Sequence, residues 1–310
     1  MARRGGVTGS SSRRQRQFHV NVRLQETGER FAVSGFSLLT KVAELKEKLE
    51  LMAGIPIHLQ RLSYIDAGDM PDISTFQFNG IVAGVTICMN IWLYEDMSDL
   101  VKAAAEGNLV KLIRLGVTKD SPYSTENSSH FNLSQRCEWL AARSSVALYI
   151  AAHRGHLKIV QFLLQDGTNV LAKTPLGNSP LHAASSMGKC DCIDVLLANG
   201  AQTQDVNGQG HTALDLARLC AQKKVERRLF LFQWSERAAT VSVTAHLDPS
   251  ELFAHQKFDS KLKTWMNGSH GKRYNANLVQ HKSFHGSDFS APKKAQATKT
   301  NSCENKNLKA

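Results

Sequence analysis

The strongest candidate for metal chemistry in this chain is the cysteine pair Cys190 and Cys192, with His153 and His156 upstream. Thiolate and imidazole groups are the ligands that a structural zinc ion prefers. Such a site needs a second matched pair at metal-binding spacing, and none accompanies this C-x-C. We therefore interpret these residues as core or surface cysteines and expect no bound metal or other cofactor.

Sequence signatures of catalysis are missing. The chain contains no G-x-S-x-G nucleophile elbow, no H-E-x-x-H zinc motif, no P-loop and no set of kinase motifs. The glycine-rich segment at residues 268–272 lacks the preceding strand and following helix that a phosphate-binding loop requires. We therefore expect that the protein is not an enzyme and has no small-molecule substrate.

Three seven-residue segments with the same pattern start 33 residues apart and reveal how the chain is organised. They are VALYIAA at 146–152, SPLHAAS at 179–185 and TALDLAR at 212–218. A fixed period of this length is the signature of stacked helical repeats. Gly155 and Gly188 follow the first two segments, and each predicts the end of one helix before a second apolar helix begins.

These segments resemble the ankyrin repeat family, whose T-P-L-H-x-A pattern is clearest at residues 179–184. The resemblance implies an all-α solenoid over residues 96–237. A weaker copy at 99–109 brings the predicted number of repeats to about four, enough for a stable stack. We interpret the long insertion near 121–145 as an extended finger loop with a helical turn at 135–143.

The resemblance also implies that a protein partner binds the concave face and the finger loops. The contact residues then precede each helix-ending glycine or lie in the fingers: Ala105, Glu106, His153, Arg154, Ser186, Met187, Lys173, Leu176, Asn178, Asn207 and Gln209. Leu176 is the predicted anchor, because an exposed leucine between Pro175 and Gly177 offers apolar contact at little ordering cost.

Residues 18–95 have a different pattern. Apolar residues alternate at 18–24 and 31–33, recur at helical spacing over 38–52, and form a continuous run at 85–92. The order of strand, hairpin, helix, Gly-Ile-Pro, Gln-Arg-Leu and last strand resembles ubiquitin. The predicted fold class is therefore α+β, a ubiquitin-like β-grasp followed by an all-α ankyrin repeat solenoid with basic disordered tails.

Two departures from ubiquitin bear on function. No free Gly-Gly end follows the last strand, so conjugation is not expected. The positions of ubiquitin's apolar recognition patch hold Ser63, Cys88 and Asn90. These polar residues remove much of the apolar burial, about 25 cal/mol per Å², that would hold a receptor. We therefore do not expect ordinary ubiquitin receptors to bind this domain. The second hypothesis is a ubiquitin- or proteasome-pathway adaptor that docks through this domain, and these substitutions argue against it.

Residues 73–94 contain no charged side chain, and Gly80 and Gly84 form a G-x-x-x-G pair, so a membrane helix is one alternative for this segment. Gln77, Asn79 and Asn90 together with the β-branched residues favour a buried strand instead. We therefore expect no membrane span.

The formal net charge of +11 resides in the predicted tails. Residues 1–17 contain five arginines and no acidic residue, and residues 238–310 contain eleven basic and five acidic residues. Apart from a possible short helix at 249–266, both tails are expected to be disordered, and nucleic-acid binding through them is a third hypothesis.

The leading hypothesis is a non-catalytic scaffold or adaptor that binds an unidentified protein partner. The six cysteines of the chain are scattered, and no secretory segment is recognised. We therefore expect an intracellular protein, cytoplasmic or nuclear.

Overall fold

The computed structural model describes residues 18–65 and 68–240. The described residues up to 236 belong to one compact unit, and residues 237–240 belong to a second. The basic segments 1–17 and 241–310, including the predicted short helix at 249–266, lie outside the described residues. The nucleic-acid hypothesis therefore stays a prediction.

The chain begins with a four-stranded sheet, within the part that the structure describes. Its strands are β1 (His19–Leu24), β2 (Arg30–Ser34), β3 (Gln60–Ser63) and β4 (Thr86–Ile91). Their order is β2-β1-β4-β3, with a parallel central pair β1–β4 and antiparallel pairs on either side. We call residues 18–93 the sheet domain.

Helix α1 (Val42–Ala53) packs against this sheet. Val42, Leu45 and Leu49 are fully buried on its inner side, and they meet the alternate strand residues Val20 and Val22. The periods of 3.6 and 2 predicted from the sequence therefore produce one shared core. The order of strands and helix agrees with the predicted α+β class, in which strands and one helix precede the helical repeats.

The uncharged run at residues 73–94 does not form a membrane helix. It forms turns around the buried side chains Phe76 and Ile81 and then β4. Across residues 18–65 and 68–240, no helix is long and apolar enough to cross a membrane.

Four helix pairs follow the sheet domain in the described residues. They are α2 (Met97–Glu106) with α3 (Leu109–Arg114), α4 (Leu133–Arg154) with α5 (Leu157–Gln165), α6 (Pro180–Ser186) with α7 (Cys190–Ala198), and α8 (Ala213–Leu219) with α9 (Lys223–Thr240). Inner helices α2, α4, α6 and α8 pack side by side through buried alanines and leucines. The 33-residue period therefore corresponds to one helix pair.

Polar caps set the start of three inner helices. Asn132, Ser179 and Thr212 each accept a hydrogen bond from the backbone of the third helical residue. In each case the side chain of that third residue accepts a hydrogen bond from the backbone amide of the capping residue. These side chains are Gln135, His182 and Asp215. Such a reciprocal capping box satisfies two backbone amides that the helix leaves without partners.

The insertion differs from the predicted extended finger loop. It contains a short 3-10 turn at Ser128–His130, after which α4 continues unbroken for 22 residues from Leu133 to Arg154. The Asn132 cap starts this helix three turns before the repeat pattern does, and no proline or glycine interrupts residues 133–154. The inner helix of the second repeat is therefore much longer than its neighbours.

Successive finger loops touch through their backbones. The Gly208 amide donates to the Leu176 carbonyl at 2.8 Å, and the Asn207 side chain donates to that of Asn178 at 3.0 Å. Gly177 has a φ of +77°, and a Cβ placed on it would lie 2.7 Å from the Gly208 nitrogen. This contact leaves no room for a side chain at residue 177.

We expect the substitution Gly177→Ala to lower the free energy of unfolding by about 2 kcal/mol, from left-handed strain plus the clash with Gly208. Gly210→Ala is the matched control, because its φ is +78° and nothing lies within 4 Å of its Cβ position. Urea denaturation of both variants measures the difference. Equal losses would show that the finger contact contributes nothing.

Candidate protein-interaction face

The ends of the inner helices carry the predicted partner contacts, and the structure separates them by exposure. Glu106 is exposed and Met187 is 39% exposed, whereas Ala105 is half-buried. His153 and Ser186 are almost fully buried, at 1% and 3% exposure. The predicted inner-face residues therefore do not form one uniformly open surface.

The buried His153 contacts the sheet domain. Its Nε2 atom donates to the Leu51 carbonyl at the end of α1, at 2.9 Å. Gly54 caps α1 so close to the ring that a Cβ there would lie 2.4 Å from the His153 Cγ. Burial lowers the pKa of His153 to about 4, so the imidazole is neutral at neutral pH.

The neighbouring Arg154 bridges the same two regions. Its guanidinium nitrogens lie 2.5 and 2.6 Å from the two carboxylate oxygens of Glu29, which is in the turn between β1 and β2. It also donates to the Ala53 carbonyl at 3.1 Å. Burial acts to raise the pKa of Glu29, but the hydrogen bond and charge of Arg154 outweigh it and the pKa is lowered.

A third contact buries a carboxylate. Glu50 of α1 is fully buried and accepts hydrogen bonds from the Thr174 hydroxyl at 2.5 Å and the Asn178 amide at 2.8 Å. The Ile57 backbone amide donates to its other oxygen at 2.7 Å. Burial raises the pKa of Glu50 despite these donors, and it also raises the pKa of the adjacent Tyr149 hydroxyl.

These contacts define a surface on the repeats, formed by His153, Arg154, Thr174 and Asn178, which we call the α1-docking surface. Three of these residues were predicted from the sequence as partner contacts. Thr174 was not, because its role depends on Glu50, which lies 124 residues away in the chain. The surface donates hydrogen bonds to the carboxylates of Glu50 and Glu29 and to two carbonyls at the carboxyl end of α1.

The remaining predicted finger residues have different surroundings. Lys173 lies 3.4 Å from the Asp205 carboxylate, Leu176 is half-buried, Asn207 is buried and Gln209 is exposed. The Leu176 carbonyl accepts the hydrogen bond from the Gly208 amide. Leu176 is therefore part of the contact between finger loops, and its side chain is only partly available to a partner.

Sequence analysis did not identify Leu219, which is 67% exposed at the end of α8. Glycine marks the turn after the other inner helices, but Ala221 takes that place here with a φ of +56°. The two residues before this turn are Leu219 and Cys220, equivalent to Ser186 and Met187 in the preceding repeat. The 33-residue register alone would have located them.

The amino-terminal half of α4 binds the connection between the sheet domain and the helices, residues 94–96. The fully buried Arg143 donates twice to the Leu115 carbonyl, at 3.0 and 2.7 Å, and once to the Glu95 carbonyl at 2.6 Å. Its guanidinium lies 4.9 Å from the Tyr123 ring centroid and 4.8 Å from that of Trp139. Both rings belong to the insertion.

The same aromatic residues hold the side chains of the connection. Trp139 donates to the Glu95 carboxylate, and the Tyr123 hydroxyl donates to Asp96 at 2.5 Å. Glu95 and Asp96 have φ values of +57° and +54°, which residues with side chains rarely adopt. Burial, followed by the bond to Asp96, raises the pKa of Tyr123 to about 12. The insertion thus clamps the connection in an unfavourable backbone conformation.

The cysteine pair is not arranged as a metal centre in the described residues, where no cluster of three or more potential ligands occurs. Cys192 is buried, and burial raises the pKa of its thiol to about 11. A thiol with this pKa is protonated at neutral pH and is a poor metal ligand or nucleophile.

A family model described as ankyrin repeats (3 copies) matches residues 100–209 and 148–230. The helix pairs within these residues match ankyrin repeats. The matched segments cover the inner helices, the fingers and the α1-docking surface. The sequence prediction of ankyrin repeats is therefore confirmed, and the family model does not extend to the sheet domain.

Several known proteins are similar in sequence to parts of this chain. Ankyrin repeat domain-containing protein 37 of Homo sapiens is 29% identical over 126 residues, which is 41% of this chain and 77% of that protein. Protein phosphatase 1 regulatory subunit 12A of Mus musculus is 36% identical over 77 residues, 25% of this chain and 8% of that protein. A probable E3 ubiquitin-protein ligase of Oryza sativa subsp. japonica, XBOS34, is 34% identical over 102 residues, 31% of this chain and 20% of that protein. The chain thus spans less than a tenth of the phosphatase subunit.

Proposed function

We propose that this protein is a non-catalytic adaptor that binds a protein partner through the distal part of the ankyrin inner face. The observation that carries the proposal is the exposure of two large apolar side chains, Met187 at 39% and Leu219 at 67%, at the ends of adjacent inner helices α6 and α8. We call these two residues with Gln209 the distal inner face.

The proximal part of the inner face is already filled by the chain itself. Arg154 binds Glu29, and His153 is covered by the end of α1. A partner that meets the docked form of the protein therefore has the distal inner face available. Arg218 precedes Leu219 in the chain, and both Arg218 and Gln209 are exposed polar residues. Exposed apolar side chains with polar neighbours are the composition of a binding hot spot with a hydrated rim.

The double substitution Met187→Glu and Leu219→Glu tests this proposal. Two carboxylates on the distal inner face should reduce partner capture at least tenfold, because they must be desolvated against the partner without matching cations. Affinity capture with quantitative mass spectrometry measures the loss, and thermal melting verifies the fold. Leu133→Glu is the matched control, since Leu133 is 81% exposed at the far end of α4. Equal capture by all three proteins would refute the assignment.

We further propose that the sheet domain is a ubiquitin-like β-grasp that serves the repeats as a docked module. Support comes from the order β2-β1-β4-β3, the parallel pair β1–β4 and the helix across the sheet. Ser63 of β3 pairs with Cys88 of β4, and Asn90 is two residues further along β4, so the polar positions Ser63, Cys88 and Asn90 fall on one face of the sheet. They offer no apolar patch to a ubiquitin receptor.

A further inference from the structure

The contact between the sheet domain and the repeats has the chemistry of a receptor for a helix end. The last turn of an α-helix leaves carbonyl groups without internal partners, and its dipole places partial negative charge there. His153 and Arg154 donate to two such carbonyls, Leu51 O and Ala53 O. The α1-docking surface thus recognises backbone groups that any helix of similar ending presents.

Side-chain charge adds specificity to this recognition. Thr174 and Asn178 bind the Glu50 carboxylate in the last turn of α1, and Arg154 binds the Glu29 carboxylate beside it. The close approach of Gly54 to His153 excludes a side chain at the residue that ends the helix. A ligand for this surface is therefore a helix that carries a glutamate in its last turn and ends in glycine.

The docked helix end leaves two polar atoms of the repeats unsatisfied. The His153 Nδ1 and the Arg154 Nε are buried in this contact and have no hydrogen-bond partner among the described residues. Each buried unpaired group subtracts from the stability of the contact. A different ligand with one more donor or acceptor at these positions would therefore compete with α1 for the same surface.

The connection permits α1 to leave. The clamp around Arg143 and Trp139 holds Glu95 and Asp96 but does not reach back to residues 92–93. Trp92 is held to the sheet domain, because its amide donates to the Leu59 carbonyl at 2.9 Å, whereas Leu93 lies outside regular secondary structure and is 71% exposed. Rotation at Leu93 would move the sheet domain while the clamp stays in place.

We propose that the carboxyl end of α1 is a built-in competitor for the α1-docking surface, which accepts from an external protein a glycine-ended helix bearing a glutamate in its last turn. This inference deepens the proposed function, on which it rests. The partner that binds the distal inner face gains a second binding site, the α1-docking surface, when the sheet domain moves away from the repeats. The sheet domain then acts as an intramolecular gate.

Charge reversal in the full-length chain tests the gate. Glu29→Arg places two cations opposite each other and should raise the hydrogen-exchange rate of the Ile57 amide, which is bonded to Glu50, about tenfold. Arg154→Glu should have the same effect. The double variant Glu29→Arg/Arg154→Glu should restore wild-type exchange, whereas a general loss of folding would not be restored. Unchanged exchange in both single variants would overturn the proposal.

The second arm uses a fluorescent peptide with the sequence of residues 41–57 of this chain. It should bind the Glu29→Arg protein at least tenfold more tightly than the wild type or the double variant. A peptide with Glu50→Lys should show no such preference. Equal binding of the two peptides to the Glu29→Arg protein overturns the assigned ligand chemistry. The distal substitutions at Met187 and Leu219 should leave peptide binding intact, so the failure of the proposed function and the failure of the gate are separable.

Discussion

Replacing Arg143 by leucine is expected to lower the free energy of unfolding by about 3–5 kcal/mol. The substitution removes three charge-assisted hydrogen bonds and leaves the Leu115 and Glu95 carbonyls without their donors. It also removes the cation from the faces of Tyr123 and Trp139. Guanidinium chloride denaturation monitored by tryptophan fluorescence measures the loss.

Two further variants make this prediction specific. Arg143→Lys should recover little of the loss, because one ammonium group cannot span both carbonyls as the planar guanidinium does. Arg114→Leu, at an exposed arginine of α3, should change stability by no more than about 0.5 kcal/mol. A loss below about 1 kcal/mol for Arg143→Leu would contradict the clamp.

Acid is expected to destabilise the protein through His153. Its pKa in the folded protein is about 4, below the ordinary 6.5, so the unfolded chain binds the proton more readily. The His153 contribution is fully present above about pH 6.5 and is lost as the pH falls towards 4. A shift of this size corresponds to about 3 kcal/mol. Burial is the main cause, Arg154 and Lys189 add repulsion, and Glu29 opposes it.

The two carboxylates in the same contact change stability in opposite directions as the pH falls. The raised pKa of Glu50 means that folding is favoured as the pH falls through its folded-state pKa. The lowered pKa of Glu29 acts in the opposite direction and weakens folding below about pH 4.5. The wild-type profile is a sum of these effects, so the difference between matched variants is the informative quantity.

Urea denaturation between pH 7.5 and pH 4 should therefore be measured for the wild type and for His153→Gln, whose amide can still donate to Leu51. The variant should lose about 3 kcal/mol less than the wild type over this interval. His130→Gln, at an exposed histidine of the insertion, is the control and should follow the wild type. Parallel curves for wild type and His153→Gln would show that this imidazole is not buried as described.

The helix pairs and the sheet were predictable because their signals are local. Alternation at Val20, Val22 and Leu24 and the 33-residue register at 146, 179 and 212 each report a face that must be buried. Capping residues such as Ser179 and Thr212 then determined where helices begin. None of this information depends on contacts between distant segments.

The docking of the sheet domain was not predictable by such reasoning. Glu29 and Arg154 are 125 residues apart, and Glu50 and Asn178 are 128 apart. No periodicity links residues at these separations, and a charged residue in a turn is usually solvated. The sequence predicted His153, Arg154 and Asn178 as contacts for a separate partner, and it gave no sign that they contact the sheet domain of the same chain.

The insertion was only partly predicted, for a related reason. Residues 133–145 lack the apolar stripe of an ordinary surface helix, because Trp139, Leu140 and Arg143 are buried against the connection and not against a neighbouring repeat. Their polar and aromatic character suggested a finger loop with only a helical turn at 135–143. In the structure, that turn is part of the continuous helix α4.

The number of residues in α4 between Arg143 and His153 determines how its two contacts are placed relative to each other. Arg143 engages the connection and His153 engages α1, ten residues further along the same rigid rod. Each residue added to or deleted from that interval would rotate one grip by about 100° relative to the other and shift it by about 1.5 Å. Substitutions between Arg143 and His153 should be tolerated, but insertions and deletions between them should not. Homologous chains that keep both contacts should therefore keep this spacing even where the intervening residues differ.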